Sequence, residues 1–130
     1  GRISGTPLAD GISPVQQMDK KGPTSILASV VKLNQEHFSN GTLLNMKFHP
    51  TALKGEEGIA KLSRLIQTYF ETGGMEMQIN IVSADTLKDA QAHPENYKNL
   101  IVRVAGFSAY FIELHPDGQR DLIVRTELSM

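Results

Sequence analysis

Between Leu100 and Phe111 the chain reads Leu-Ile-Val-Arg-Val-Ala-Gly-Phe-Ser-Ala-Tyr-Phe. A short apolar run with one charge, Arg103, ends in Ala105-Gly106, where side chains almost vanish. Aromatic residues follow at once: Phe107, Tyr110 and Phe111. The run from Leu100 to Val104 predicts a buried strand. The aromatics predict that Gly106 lies inside an apolar wrapping, the reverse of a surface turn with polar neighbours. Two roles fit a bare α-carbon here. One is conformational, since glycine supplies a positive φ or admits another backbone at close range. The other uses the α-carbon chemically. A radical on a glycine α-carbon can lie flat, with its spin shared between the flanking amide nitrogen and carbonyl. A β-carbon would crowd that planar form, and burial would shield it from water and oxygen.

Other chemistries find little support. The chain has no cysteine, which removes disulfides, thiolate metal sites and cysteine nucleophiles from these 130 residues. His37, His49, His93 and His115 lack the i, i+4 spacing and the acidic partners of a metal site, and three of them precede prolines as turn and cap positions do. No metal site is expected. Gly55 to Gly58 lacks the lysine and the preceding strand of a phosphate loop. Ser13 and Ser108 have no base nearby in sequence and no nucleophile-elbow pattern. A net charge of −1 gives no electrostatic case for nucleic acid or an anionic membrane. No apolar run approaches the roughly 18 residues of a membrane span, and no signal-peptide pattern opens the chain.

Several elements must position the glycine. Residues 1 to 22 carry Gly1, Gly5, Gly11, Gly22, Pro7 and Pro14, which break regular structure, with Leu8, Ile12 and Val15 as anchors for an extended loop. Pro23 suits a helix start, and the apolar spacing predicts a helix from Thr24 to about Gln35. Leu44, Met46 and Phe48 alternate with polar residues as in a strand with one buried face. Glu56 to Thr72 is the clearest helix. Ile59, Leu62, Leu65, Ile66, Tyr69 and Phe70 form one stripe read as core, and Gly73-Gly74 stops the helix. Met75, Met77, Ile79 and Ile81 alternate with Glu76, Gln78 and Asn80, a period-two strand. Its polar face is either a solvated or hydrogen-bonded sheet face, or one in which Gln78 and Asn80 look into a catalytic interior. Ser83 caps a short helix from Asp85 to Ala92 that Pro94 ends. Pro116 starts a last helix with Leu122 and Ile123 inward.

Ile101-Val-Arg-Val-Ala-Gly-Phe-Ser-Ala109 resembles the signature of the glycyl radical enzymes, with Gly106 at the radical position. Asp10-Gly-Ile-Ser-Pro14, Asn40-Gly-Thr-Leu-Leu-Asn-Met46, Gln78-Ile-Asn80 and Ala90-Gln-Ala-His-Pro-Glu-Asn-Tyr97 resemble further stations of that family's C-terminal region. The resemblance covers essentially the whole chain. Within the pyruvate formate-lyase family it is closest to the branch of glycerol dehydratase and choline lyase. One departure is Phe107, where many members have tyrosine; the ring is kept and a hydroxyl lost.

The resemblance implies an α/β fold, the C-terminal segment of a ten-stranded barrel, and α+β when taken alone. It divides the chain into an extended barrel or loop segment, 1–22, and a glycine radical domain, 23–130, with the radical loop at 101–111. No bound cofactor is implied, only a glycyl radical as a post-translational modification at Gly106. A radical S-adenosylmethionine activating enzyme with an iron–sulfur cluster would take a hydrogen atom from Gly106. The stored radical would then pass to a cysteine, beside a glutamate base, in the remainder of the enzyme, and the cysteine would take a hydrogen from a small-molecule substrate. Arg103, Ala105, Phe107, Ser108 and Arg125 would support the radical loop, Arg125 as the arginine that packs near it. For Arg125 a plain cation at a helix C-terminus is the alternative. The whole enzyme would be a cytoplasmic homodimer acting as a lyase or dehydratase, its placement in a bacterial microcompartment open. The alternative is a free-standing repair subunit that docks onto a partner whose glycine loop has been cleaved by oxygen.

Overall fold

The computed structural model describes residues 3–5, 8–15 and 18–127. Four α-helices and four strands follow in the order α1 (Pro23–Val30), β1 (Leu44–Phe48), α2 (Gly55–Glu71), β2 (Met77–Ile81), α3 (Ala84–Ala92), β3 (Ile101–Arg103), β4 (Ser108–Tyr110) and α4 (Pro116–Glu127). β1 and β2 pair in parallel across the α2 crossover, with Leu44 opposite Met77 and Phe48 opposite Ile81. β3 and β4 form a separate antiparallel hairpin. The mixture matches the expected α+β content.

Two cores result, one in each half. Leu27 and Val30 of α1, Leu44, Met46 and Phe48 of β1, and Tyr69 of α2 make the first. Leu87 and Ala90 of α3, Val102 of β3, Phe111, and Leu122 and Ile123 of α4 make the second. Each of the leucine, isoleucine, valine, methionine and phenylalanine side chains among them contributes about 1.5–3 kcal/mol by leaving water. Tyr69 is fully buried, and a β-carbon on Gly74 would meet its ring at 2.4 Å, so glycine stops α2 here by admitting the ring as well as by freeing the backbone.

Several expectations need correction. α1 ends at Val30 rather than near Gln35. Asn34 accepts from the Glu36 amide and opens a 3₁₀ turn instead. Gln35 turns into the core, where its Oε1 accepts from Thr42 Oγ1 at 2.5 Å and from the Met75 amide at 3.3 Å. The α2 stripe is only partly core: Ile59 and Phe70 are 63% and 47% exposed, because a two-stranded sheet covers one side of the helix. In the N-terminal segment Ile12 packs on the first core, whereas the other expected anchors, Leu8 and Val15, are exposed. Gly1 and Pro7 lie outside the described residues. Strand β2 begins at Met77, and its pattern is partly inverted: Gln78 is buried while Ile81 is half exposed.

Candidate functional site

The run expected as one buried strand from Leu100 to Val104 is instead the first arm of a hairpin. Only Val102 is buried; Ile101 is 59% exposed. Arg103 stands opposite Ser108 in the ladder. The tip is the four-residue turn Val104 to Phe107, closed by the Val104 amide donating to the Phe107 carbonyl at 2.9 Å. Gly106 occupies its third position with φ +80°, a backbone conformation that glycine adopts without steric cost. A β-carbon there would meet nothing within 4 Å, so conformation rather than space demands the glycine. Arg103 Nη1 donates to Ser108 Oγ at 3.1 Å and ties the two arms below the tip.

The expected wrapping is absent around this chain's tip. Ala105, Gly106 and Phe107 are exposed, and Tyr110 is 41% exposed. Phe111 alone of the three aromatics is buried, in the second core.

The polar face of β2 meets this hairpin. Register puts Asn45 beside Gln78 and Lys47 beside Asn80, so the four polar side chains share one face. Asn80 Oδ1 accepts the Arg103 amide at 2.8 Å, and its Nδ2 donates to the Arg103 carbonyl at 2.5 Å. One carboxamide thus serves Arg103 as a neighbouring strand would. Gln78, 7% exposed, accepts the Gly106 amide on Oε1 at 3.2 Å and donates from Nε2 to Glu76 Oε1 at 2.9 Å. The polar face is thus hydrogen-bonded, and its bonds run to the glycine turn.

Arg125 meets two carboxylates. Its Nη1 is 2.7 Å from Asp10 Oδ2, and its Nε is 2.8 Å from Asp121 Oδ2, the latter a charge contact off the line of a hydrogen bond. Among the described residues no hydrogen bond or ion pair joins it to 101–111. Its ion pair with Asp10 fastens α4 to the N-terminal segment. Asp10 also accepts from Asn45 Nδ2 at 3.1 Å, and Ser13 Oγ accepts the Asn45 amide at 2.8 Å. The Asp10-to-Pro14 stretch therefore packs along β1.

Lys47 belongs to the same cluster. Burial first, and the nearby Arg125 charge second, pull its ammonium down to about 8, against the opposite pull of Asp10, Asp121 and Asp19. A lysine depressed in the fold is a liability while protonated. From pH 8 to about 10.5 the unfolded chain holds a proton that the folded chain has shed, so stability rises with pH through that window. The full drop corresponds to about 3 kcal/mol. Denaturant unfolding at pH 7.5 and pH 10 is expected to register this gain, and Lys47→Met to flatten it. Equal pH dependence in both proteins would refute the burial of this charge.

The histidines sit at turns and caps. His49 Nδ1 accepts the Thr51 amide, His115 Nδ1 accepts the Asp117 amide, and His93 closes α3. No group of three metal-binding side chains occurs among the described residues. No helix there is long and apolar enough to cross a membrane.

Comparison with known proteins agrees with this geometry. The glycine radical family matches residues 8–112, which hold β1, β2 and the whole hairpin. A probable dehydratase of Escherichia coli K12, YbiW, is 48% identical over 128 residues, 98% of this chain and 16% of that protein. The isethionate sulfite-lyase of Bilophila wadsworthia is 45% identical over 130 residues, 97% of this chain and 15% of the relative. The glycerol-bound structure of the B12-independent glycerol dehydratase of Clostridium butyricum superposes with a TM-score of 0.90 at 52% identity, covering 95% of this chain and 16% of its own. The chain thus spans about one sixth of the length of the relatives it matches. With a glycine turn clasped by two carboxamides inside the matched residues, this chain belongs to the glycine radical family.

Proposed function

We propose that this chain is the radical-storing segment of a glycyl radical lyase or dehydratase, and that Gly106 carries the radical. The observation that supports this most is the Gly106 turn: an α-carbon without a side chain, at φ +80°, with its amide held by Gln78, inside the matched residues. Loss of a hydrogen atom from that carbon leaves an unpaired electron shared between the amide nitrogen and the carbonyl. The atom's acceptor is a radical S-adenosylmethionine activating enzyme. In turnover Gly106 takes a hydrogen atom from a cysteine thiol, leaving a thiyl radical that takes a hydrogen atom from a carbon of a small substrate. These 130 residues contain no cysteine, so that thiol belongs to the remainder of a longer enzyme.

The exposed surfaces support the same reading. Parallel sheets occur almost only with both faces covered and further strands beside them, and here β1 and β2 stand as a pair. In the proposal they are two staves of the family's barrel. Ile101, Phe107 and Tyr110, each more than 40% exposed on the hairpin, become the wrapping of the radical once the remaining protein closes over them. A repair subunit is less well supported, because the long relatives span this sequence as part of one continuous chain. A dehydratase and a sulfite-lyase match about equally well, so the substrate is chosen outside this segment. A cytoplasmic, oxygen-free setting and a homodimeric whole enzyme belong to the same proposal.

The test is magnetic. The full-length enzyme, activated without oxygen, is expected to give an organic radical doublet split by one α-hydrogen. The doublet should collapse when the cells are fed α-deuterated glycine. A signal indifferent to glycine labelling would place the radical on another residue.

A further inference from the structure

We propose that Gln78 is a positioning residue for Gly106, holding the amide beside the radical-bearing carbon, with Asn80 setting the register that lets it reach. The inference rests on Gly106 as the radical position. Gln78 is almost wholly buried and both ends of its carboxamide are committed: Nε2 to Glu76 at 2.9 Å and Oε1 to the Gly106 amide at 3.2 Å. Because the Glu76 carboxylate only accepts, it obliges the amide nitrogen to face it and the amide oxygen to face Gly106. Asn80, two residues on and on the same face, takes both backbone groups of Arg103, three residues before the glycine. Two side chains spaced along β2 thus meet two backbone positions spaced along the hairpin. Any slip of the hairpin would break all three bonds together.

The bond has a consequence beyond anchoring. The spin on the glycine carbon is shared with its amide nitrogen. An acceptor on the N–H draws the proton outward and strengthens donation from nitrogen toward the carbon. It also fixes the peptide plane on one side of that carbon, so Gln78 governs both how long the radical persists and how much spin the nitrogen carries.

The experiment uses full-length enzyme with ¹⁵N-labelled glycine. In Gln78→Leu the ¹⁵N coupling of the radical is expected to change, and its anaerobic half-life to shorten about three- to tenfold, the scale of one neutral hydrogen bond. Gln78→Glu alone would set two carboxylates side by side. The pair Glu76→Gln with Gln78→Glu exchanges donor and acceptor and is expected to restore both readings. In the unactivated enzyme, hydrogen exchange at the Gly106 amide should quicken by the same factor in Gln78→Leu, a readout that needs no radical. Unchanged coupling and half-life, unchanged amide exchange, or a shortened half-life that the exchanged pair leaves unrescued would each overturn the role. If wild-type enzyme forms no radical at Gly106 while the exchange effect holds, the proposed function fails and the clasp survives only as a structural contact, so this inference falls with it.

Discussion

Gly106→Ala in the full-length enzyme is expected to abolish the organic radical and all turnover while leaving the protein folded. The two halves of this result have separate causes. A β-carbon at position 106 meets nothing within 4 Å among these residues, so none of their atoms needs to move to admit it. The remaining cost is the backbone at φ +80°, about 1–2 kcal/mol for an alanine held in the left-handed region. That is a minor part of the roughly 5–15 kcal/mol that holds a domain together. The radical suffers differently. The added methyl crowds the planar form that spreads spin over both peptide groups, and the carbon that must give up and regain hydrogen in every cycle becomes a tertiary one. Electron paramagnetic resonance after anaerobic activation, with thermal unfolding of the same sample, separates the two effects. An ordinary radical signal in a folded Gly106→Ala enzyme would end the assignment of Gly106.

Phe111→Ala should do the reverse, costing about 3–5 kcal/mol of stability as large-to-small changes in packed cores do. Phe111 is fully buried and packs in the second core with Leu87, Val102, Leu122 and Ile123. Its backbone is also the hinge pin of the hairpin: its amide donates to Leu100 at 2.8 Å and its carbonyl accepts from Gln119 at 3.0 Å. Truncating the ring keeps those bonds and opens a cavity between the hairpin and α4, so the glycine turn loses its seat without being altered itself. Denaturant unfolding of the enzyme checks the magnitude; a loss under about 1 kcal/mol, the scale of surface changes, would contradict the burial of Phe111.

Sequence alone determined what depends on neighbours within a few residues. The helix expected over Glu56 to Thr72 is α2 to within a residue at each end, the alternation of Leu44 to Phe48 is β1, and Ser83 caps α3, its Oγ accepting the Thr86 amide at 3.1 Å. These follow from side-chain spacing and local hydrogen bonding, which the order of residues carries directly. Gly106 was marked by its motif for the same reason. Strand β4, at three residues, is too short to have a period, so the run after the glycine gave no sign of folding back. Tertiary structure decided the rest. That Gln78 and Asn80 grip the hairpin across 28 and 23 residues, and that Arg125 pairs with Asp10, depends on which segments lie side by side. A carboxamide on a half-buried strand reads the same whether it meets water or a backbone amide. Only pairing across the fold chooses between them, because a hydrogen bond between distant segments leaves no mark on the spacing of either one.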